Sequence, residues 1–267
     1  MRLENKICVI TGGTSGIGRP TVQRFVQEGA MGLSCNPDRR NVPGVRVDRD
    51  RLRELAALHY PGEARFYCCD VSKEDEIREM AEFVMREFGP CEVLFNNAGA
   101  HQTGKLHETT PENWDRIMNV DVRGVYLCSY YFLPQMLAQH YGTIINMSSV
   151  SGLLGDTDMV AYNTAKGAIT NMTRCMAIDY AKDGIRVNAI CPGAVETEIL
   201  LHTFHSVPGA EEKFNNAYPT GHVGTAVEIA NACVFLASRE CDFLNGVNLP
   251  IDGGITAHTG QPYMGNY

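Results

Sequence analysis

Short, continuous apolar runs alternate along this chain with segments whose apolar residues recur every three or four positions. The first run, residues 7–10, has the composition of a buried parallel strand. It is followed by residues 20–28, in which Val22, Phe25 and Val26 have the spacing of an amphipathic helix. Strand and helix patterns then keep alternating, so the chain is predicted to be a series of βα units.

The same alternation predicts the later elements and the fold class. Further strands are expected at residues 64–69, 93–95, 143–147, 185–190 and 247–249. Further helices are expected at residues 72–88, 111–139, 160–181 and 227–236, the second of them with an interruption near Pro134. We therefore predict an α/β fold in which one domain, residues 1–267, forms a doubly wound parallel sheet with helices on both faces.

Residues 195–225 depart from this alternation. Their apolar periodicity is weak, and they contain Pro208, Gly209, Pro219 and Gly221. A long irregular segment in a compact domain is often a lid or a binding loop. It would follow the sixth predicted strand, whose carboxyl end lies at the sheet edge where ligands bind. We expect a substrate-binding loop here; the alternative is a surface loop with no contact role.

Composition narrows the possible partners and compartments. A net charge of −8 and a pI near 5.5 argue against a nucleic-acid surface, which needs a basic stripe. No apolar run is long enough to cross a membrane, and the first residues lack the apolar core of a signal peptide. The 10 scattered cysteines favour buried thiols in a reducing cytoplasm. His202 and His205 have a loose metal-like spacing without an evident third ligand, so no metal site is predicted.

A glycine-rich turn, residues 11–18 (Thr-Gly-Gly-Thr-Ser-Gly-Ile-Gly), joins the first strand to the first helix. Its glycines allow a sharp bend and a close backbone approach to a pyrophosphate. The free N–H groups and positive dipole at the helix N-terminus attract phosphate. Because strand, glycine turn and helix occur in this order, the segment predicts a dinucleotide-binding site in preference to a plain connecting turn.

The residues with the clearest chemistry are Tyr162 and Lys166. Residues four apart share a helix face, so the phenol and the ammonium can point into one site. Tyrosine is ordinarily a poor base, and a nearby cation favours its phenolate form. Such a pair can exchange a proton with a hydroxyl or carbonyl near neutral pH. An isolated pair is more often part of a solvated helix face, but here Ser149 and the glycine turn accompany it.

These residues resemble the short-chain dehydrogenase/reductase family, and the resemblance covers nearly the whole chain. The matching segments, in family order, are the glycine turn, Asp70-Val71, residues 96–99 (Asn-Asn-Ala-Gly), Ser149, Tyr162 with Lys166, Pro192-Gly193 with Thr197, and residues 252–254 (Asp-Gly-Gly). The resemblance implies a Rossmann-like fold and hydride transfer between the nicotinamide of NAD or NADP and a carbonyl carbon.

The resemblance also implies roles for individual residues. Tyr162 would exchange the proton with the substrate oxygen, and Lys166 would stabilise the tyrosinate and bind the nicotinamide ribose. Ser149 would hold and polarise the substrate oxygen, whereas Ser148 would face the cofactor or the core. The residues expected to bind the cofactor, besides Tyr162 and Lys166, are Gly12, Thr14, Ser15, Gly16, Ile17, Gly18, Asp70, Val71, Asn97, Ala98, Gly99, Pro192, Gly193, Val195 and Thr197.

One position departs from the family pattern. Most relatives carry an asparagine where this chain has Asp121, and Asn119 would lie on a different face of the helix. In the family this residue helps to hold a water that links Lys166 to solvent. A carboxylate could still accept a hydrogen bond from that water, and its charge would raise the Lys166 pKa. We expect activity to survive and count Asp121 among the catalytic residues.

The choice between NAD and NADP depends on the end of the second strand. An acidic residue there binds the ribose hydroxyls of NAD, whereas a basic residue accommodates the phosphate of NADP. Counting about twenty residues from the glycine turn reaches residues 36–38, and the following Arg39 and Arg40 would suit a phosphate. The segment around Asp48 instead looks like the family's NAD pattern after an insertion, and Thr14 and Ser15 are neutral. The sequence slightly favours NAD, with Asp48 on the ribose.

The predicted function is NAD(P)-dependent oxidation of a secondary alcohol or reduction of a ketone. The alternative is a catalytically silent dinucleotide-binding regulator, and Asp121 is the only feature of the sequence that suggests it. The pocket would be lined from residues 100–103, 150–160 and 195–214, and it is partly apolar. Hydroxysteroids, sugars, polyols and acyl ketones are all candidate substrates.

The resemblance further implies an assembly, because the family usually forms tetramers through two long helices and the C-terminal segment. Those helices correspond to residues 111–139 and 160–181, which carry more apolar residues than one buried stripe requires. The tail, residues 262–267, is aromatic, which is unusual for a free chain end. We expect a cytoplasmic homotetramer in which the tail packs on a neighbouring subunit.

Overall fold

A parallel sheet with helices on both faces forms the body of the protein. The computed structural model describes residues 1–37 and 60–259. The strands of the central sheet are β1 (Ile7–Thr11), β2 (Met31–Asn36), β3 (Glu63–Cys68), β4 (Val93–Asn96), β5 (Gly142–Met147), β6 (Ile185–Pro192) and β9 (Asn248–Ile251). They lie in the order β3-β2-β1-β4-β5-β6-β9, and each adjacent pair is parallel. The predicted doubly wound α/β fold is confirmed.

The helices cover both faces of this sheet. They are α1 (Gly18–Gln27), α2 (Glu74–Glu87), α3 (Pro111–Ile117), α4 (Gly124–Ala138), α5 (Val160–Tyr180), α6 (Glu198–Ser206), α7 (Ala210–Ala217) and α8 (Ala226–Ala237). One core layer lies between the sheet and helices α2, α4 and α5, and the other between the sheet and helices α1 and α8. None of the described helices is long and apolar enough to cross a membrane.

Alternation along the buried strands sorts their side chains between the two layers. In β1, Val9 packs into the layer of α2, α4 and α5, whereas Cys8 and Ile10 pack into the layer of α1 and α8. In β4, Leu94 packs into the layer of α2, α4 and α5, and Phe95 packs into the layer of α1 and α8. Successive side chains of a strand point to opposite faces, and both faces are covered, so these strands are apolar without interruption.

The helix predicted at residues 111–139 is interrupted, but not at Pro134. Pro134 lies inside α4, and the break is a π-helical turn, Met118–Arg123, between α3 and α4. A π turn inserts an extra residue and so rotates the next helical segment, and such turns frequently occur at functional sites. Here the turn contains Asp121, which is fully buried, while Asn119 is exposed. The prediction that these two residues lie on different faces is confirmed.

The prediction that residues 195–225 are irregular is also wrong, because this segment contains α6 and α7. A short parallel pair, β7 (Val195–Glu196) and β8 (Gly224–Thr225), closes its ends. All residues of α6 are half-buried or exposed, so no apolar stripe announces this helix in the sequence. Gly209 adopts a left-handed conformation, with a φ of 73°, and so permits the sharp turn into α7.

Candidate functional site

One cleft collects most of the residues that the sequence singles out. It opens beside the adjacent carboxyl ends of β1 and β4, where the strand order of the sheet reverses. Its predicted cofactor-binding residues are Gly12, Thr14, Ser15, Gly16, Ile17, Asp70, Val71, Asn97, Ala98, Gly99, Tyr162, Lys166 and Thr197. It also contains Asp121 and His101. Segments far apart in the chain therefore converge here because parallel strands end at one edge of the sheet.

Some predicted residues lie elsewhere. Among the described residues, the lining of the cleft does not include Gly18, Ser149, Pro192, Gly193 or Val195. Gly18 is needed for close packing, since a Cβ there would come 2.2 Å from the Gly12 carbonyl oxygen. Gly193 has a similar role, because a Cβ would come 2.7 Å from the Tyr218 ring. At both positions a side chain would clash with a neighbouring group, so close packing requires glycine.

Hydrogen bonds fix the glycine turn to the end of β4. The Asn97 side-chain amide donates to the carbonyl oxygens of Thr11 and Gly12, at 2.9 and 3.1 Å. In return, the Thr11 hydroxyl accepts from the backbone N–H groups of Asn97 and Ala98, both at 3.0 Å. Gly12 itself has a φ of 70°, and a Cβ there would come 2.8 Å from Asn97 Nδ2. The turn is thus a rigid wall of the cleft and depends on glycine.

The N-terminus of α6 contacts the same turn through a carboxylate. The Gly16 backbone N–H donates to Glu198 Oε2 at 3.0 Å, and Arg19 Nη1 lies 3.9 Å from Glu198 Oε1. Thr197 and Ile199, on either side of Glu198, line the cleft. The Glu198 carboxylate therefore accepts a hydrogen bond from one of the backbone N–H groups of the glycine turn, the kind of group that binds phosphate at a helix N-terminus.

The second strand ends at Asn36, the position that counting from the glycine turn predicts. Asn36 and Pro37 line the cleft, and Asn36 Oδ1 accepts the Thr14 backbone N–H at 3.0 Å. The strand end is set by pairing with β3, in which Asn36 lies opposite Cys68. Asp48, Arg39 and Arg40 lie outside the described residues. Asp48 therefore does not end this strand, and its contact with the ribose stays a prediction.

Lys166 is buried beneath the cleft between an acid and an aromatic ring. Its Nζ lies 2.9 Å from Asp121 Oδ2, donates to the Met147 carbonyl oxygen at 3.1 Å, and lies 5.4 Å from the Tyr162 ring centre. Burial by itself lowers the pKa of Lys166, but attraction to Asp121 and Tyr162 outweighs it, so the pKa is raised above its usual value. Lys166 is therefore held as an ammonium.

Asp121 is held by the chain segment that follows β4. Its Oδ1 accepts the Ala100 backbone N–H at 2.6 Å. Its Oδ2 lies in the ion pair with Lys166 but off the direction of a hydrogen bond, and accepts none from the described residues. A Cβ at Gly99 would come 3.2 Å from this oxygen and 3.5 Å from Lys166 Nζ. Gly99 thus lets the backbone pass over the ion pair.

Tyr162 lies in the first turn of α5 and is half-buried. Its hydroxyl makes no hydrogen bond to the described part of the chain, whereas its ring is packed against His101, with centroids 5.1 Å apart and planes inclined by 67°. Lys166 lies one turn later on the same face, as the four-residue spacing predicts. The phenol is oriented by ring packing, and its oxygen remains available to a ligand.

Ser149 lies at the start of a short hydrogen-bonded chain. Its Oγ donates to Ser151 Oγ at 3.1 Å and accepts the Ser151 backbone N–H at 3.1 Å. Ser151 in turn donates to the Asp156 carboxylate. Ser148 points away from this chain and donates to the Lys166 carbonyl oxygen at 3.0 Å. The sequence allowed Ser148 to face either the cofactor or the core, and in the structure it faces the core.

The sequence reasoning missed some lining residues. Val120 precedes Asp121 in the π turn, and Met147 ends β5. The strand end at Met147 was predictable from the apolar run, whereas Val120 depends on the π turn. Ile199, in the first turn of α6, lies within residues 195–214, which were expected to line the pocket. His202 and His205 lie on α6, and no group of metal-ligating side chains occurs among the described residues.

Comparisons with known proteins agree with this geometry. The sequence matches the family described as enoyl-(acyl carrier protein) reductase over residues 12–256. It is 41% identical over 266 residues to the uncharacterized oxidoreductase YxbG of Bacillus subtilis, covering 97% of this chain and 93% of that protein. It is 38% identical over 262 residues to the meso-2,3-butanediol dehydrogenase of Serratia marcescens, covering 98% of this chain and 99% of that protein. The solved structure of ElxO with NADP bound has a TM-score of 0.87 at 30% identity, covering 95% and 99%.

The similarity extends across the segments that build the cleft, from the glycine turn through Asn97 and Tyr162 to Thr197. A likeness of this extent and level of identity concerns the catalytic fold as a whole. The chain belongs to the short-chain dehydrogenase/reductase family, and it is an NAD(P)-dependent oxidoreductase that interconverts secondary alcohols and ketones.

Proposed function

We propose that Tyr162, Lys166 and Ser149 carry out the proton chemistry of this reaction, and that Asp121 acts on it through Lys166. The observation that carries this assignment is the buried Lys166 ammonium, 2.9 Å from Asp121 Oδ2 and 5.4 Å from the Tyr162 ring centre. A fixed positive charge beside a phenol favours the phenolate. Tyr162 can then act as base for an alcohol and, when protonated, as acid for a ketone.

The cleft fits a dinucleotide. The glycine turn lines the cleft and packs closely on Asn97 and Ala98, because Gly12 has no side chain to keep them apart. In this proposal, Thr14, Ser15 and Gly16 hold the pyrophosphate: Thr14 uses its hydroxyl, since its N–H donates to Asn36, and Gly16 uses an N–H that must first release Glu198. Asn36 lies near the ribose of the adenosine, and Lys166 holds the other ribose. When bound, the nicotinamide supplies or accepts the hydride.

The proton moves between the substrate oxygen and Tyr162. In oxidation, the tyrosinate accepts the hydroxyl proton of the alcohol, while the carbinol C–H hydrogen leaves with its electron pair as the hydride. In reduction, the phenol donates its proton to the carbonyl oxygen. Lys166 remains an ammonium in both directions because its pKa is raised by the Asp121 charge. Its role is electrostatic, and the proton that is transferred belongs to Tyr162.

Ser149 holds the substrate oxygen in this proposal, and its O–H must turn away from Ser151 to do so. Its O–H is directed to Ser151 Oγ in this structure. Ser151 N–H continues to donate to Ser149 Oγ during that rotation, because the backbone does not need to move. Ser149 can then donate to a carbonyl oxygen and polarise it.

NAD is the proposed cofactor in preference to NADP. Thr14, Ser15, Asn36 and Pro37 line the β2 end of the cleft and carry no positive charge to pair with a 2′-phosphate. Asp48 remains our candidate for the ribose hydroxyls. We expect kcat/KM to be higher with NAD than with NADP, and Asp48→Ala to narrow the difference. A wild-type preference for NADP that Arg39→Ala or Arg40→Ala abolishes would contradict this choice.

The substrate in this proposal is a small secondary alcohol or the corresponding ketone. One relative is named meso-2,3-butanediol dehydrogenase, which supports a small polar substrate. Hydroxysteroids, sugars and acyl ketones stay in the panel to be tested. A silent regulator is not favoured, since Ser149, Tyr162 and Lys166 are all present.

A homotetramer in the cytoplasm completes the proposal. Some apolar residues of the two long helices belong to the core: Leu127, Phe132 and Ile169 are buried in the subunit. Tyr130 is exposed, and Tyr131, Met172 and Met176 are half-buried, so these remain for subunit contacts. The tail, residues 262–267, lies outside the described residues, and its packing on a neighbour stays a prediction.

Steady-state kinetics with a panel of secondary alcohols test the proposed function. Formation of reduced nicotinamide would be followed by absorbance with NAD and with NADP. We expect turnover of at least one small secondary alcohol by the wild type and little by Tyr162→Phe. Dinucleotide binding without turnover of any panel member, in either direction, would favour the silent regulator instead.

A further inference from the structure

His101 is a chemically capable residue of the cleft to which the proposed mechanism gives no task. It lies in the segment that follows β4, two residues after Gly99, and it lines the same cleft as Tyr162 and Lys166. Its imidazole packs edge-on against the Tyr162 ring, with centroids 5.1 Å apart. A hydrogen-bonding ring is thus placed directly beside the proposed acid/base.

The position of His101 is fixed from two sides. Its Nε2 lies 3.2 Å from Met159 Sδ, just before the first turn of α5. Three residues after His101, the Gly104 backbone N–H donates to the Asp158 carbonyl oxygen at 2.6 Å, and Gly104 forms a parallel bridge with Met159. The segment that carries His101 is therefore attached to the start of the helix that carries Tyr162.

The hydrogen-bonding capacity of the ring is largely unused. A thioether sulfur is a weak acceptor, and Nδ1 has no hydrogen-bond partner in the described part of the chain. A neutral imidazole has one donor and one acceptor nitrogen. With the proton on Nε2, Nδ1 can accept from a hydroxyl; with the proton on Nδ1, it can donate to a carbonyl. Either tautomer can bind an oxygen.

Partial burial in the cleft favours the neutral form of this imidazole. Partial burial lowers the pKa of His101, Asp121 opposes this, and the positive charges of Arg116 and Lys166 lower the pKa further. The neutral form, which is present above the pKa, is the form that retains an acceptor. A neutral ring beside the buried Asp121 carboxylate suits an uncharged oxygen better than a substrate carboxylate.

We propose that His101 binds a second oxygen of the substrate, so that the enzyme selects secondary alcohols and ketones with a hydroxyl or carbonyl group one or two carbons from the reacting carbon. The ring contact, with centroids 5.1 Å apart, places both side chains within reach of one small molecule. His101 is then a specificity-determining residue. The inference rests on the proposed function, since it assumes that the reacting oxygen lies at Tyr162.

A pair of alcohols that differ by one hydroxyl tests this role. kcat/KM would be measured for sec-butanol and for its vicinal diol with the wild type, His101→Phe and His101→Gln. Phenylalanine keeps the ring packing on Tyr162 but removes both nitrogens, whereas glutamine keeps a donor and an acceptor. We expect the diol-to-monoalcohol ratio of kcat/KM to fall about tenfold in His101→Phe, as for a lost hydrogen bond in a site built for it, and to fall less in His101→Gln.

A matched control is available in the same chain. His107 is exposed and lies outside the cleft lining, so His107→Phe should leave the ratio unchanged. An equal loss on both alcohols, or an unchanged ratio, would overturn the assignment.

Tyr162→Phe, assayed in parallel, separates this inference from the function on which it rests. Activity that survives in Tyr162→Phe contradicts the proposed proton chemistry. Loss of activity in Tyr162→Phe, together with an unchanged ratio in His101→Phe, contradicts the role of His101 alone.

Discussion

At the scale of single residues, the proposed chemistry depends on a charge that is expensive to bury. Lys166 and Asp121 are both almost fully removed from solvent. Taking one partner away would leave the other as an uncompensated buried charge, a change that typically costs about 3–5 kcal/mol. The buried pair therefore keeps an ammonium beside Tyr162 at a cost that the surrounding fold offsets.

Replacing Tyr162 by phenylalanine removes the proposed proton carrier and keeps the ring that packs on His101. We expect kcat to fall by at least ~10²-fold, the usual contribution of a positioned acid/base. Dinucleotide binding, followed by quenching of protein fluorescence, should persist. Near-normal turnover in this variant would assign the proton transfer to another group.

Replacing Asp121 by asparagine removes its charge and keeps an oxygen for the Ala100 N–H. The variant loses the negative charge that helps to raise the Lys166 pKa, so that pKa falls. Lys166 then loses its proton at lower pH, and the tyrosinate loses its stabilising cation there. We expect the basic limb of the pH–rate profile to move to lower pH.

The basic limb is the one to interpret for Asp121→Asn, because the acidic limb of oxidation reports the Tyr162 pKa, which responds to the charges of both Lys166 and Asp121. An unmoved basic limb would mean that Asp121 acts through structure and not through its charge.

At the scale of elements, a π turn and a helix without a buried apolar stripe shape the cleft. The π turn Met118–Arg123 brings Asp121 inward between the α-helices α3 and α4. Helix α6 covers the glycine turn and contacts it through Glu198. Both features act on the cofactor side of the cleft, and neither has an apolar pattern in the sequence.

Glu198→Gln tests whether α6 competes with the cofactor. The Glu198 carboxylate accepts the Gly16 N–H that a pyrophosphate would use, and like charges there repel. We expect the variant to bind NAD several-fold more tightly, with the difference shrinking at high salt. Isothermal titration with NAD would measure it, and adenosine, which lacks phosphate, should show no change.

Glu196→Gln is the matched control, because Glu196 is an exposed acid on the neighbouring strand β7. It should not alter the affinity. Equal effects of the two substitutions would indicate only a change in net charge, and an unchanged affinity in Glu198→Gln would leave the contact without a role in cofactor binding.

At the scale of the whole molecule, the described surface retains large apolar side chains that a free monomer would expose. Tyr126 and Tyr130 are 51% and 56% exposed on α4, and Ile178 is 77% exposed on α5. Tyr126 and Tyr130 also contact each other, with ring centroids 5.9 Å apart. Such patches on neighbouring helices are typical of protein interfaces.

Tyr130→Lys and Ile178→Lys test the proposed tetramer. Because both side chains are exposed in the subunit, the substitutions should leave the fold intact and place charges in the interface. We expect light scattering to report a tetramer for the wild type and smaller species for the variants at micromolar concentration. Met85→Lys, at an exposed position on α2, should keep the wild-type mass. A monomeric wild type would contradict the proposal outright.

Most strands of the central sheet were predictable from sequence alone, because the buried ones are short apolar runs that need no partner to be recognised, whereas β2 (Met31–Asn36) has no such run and was not predicted. The family resemblance implied that the glycine turn, Tyr162 and Lys166 share one site, and all three line the same cleft in the structure. Most of the predicted strand and helix bounds agree within two residues, because these elements have clear apolar patterns. Local pattern is sufficient wherever one element buries one clear apolar face.

Features that depend on distant neighbours were settled by tertiary contacts instead. The π turn at Asp121 requires the Lys166 ammonium and the Ala100 N–H as partners, and neither is close in sequence. The end of β2 at Asn36 is set by pairing with β3 across an intervening segment. Helix α6 has no buried stripe, and His101 meets Tyr162 only because two chain segments are bridged. Long-range contacts made these choices, and a one-dimensional pattern contains no signal for contacts of that kind.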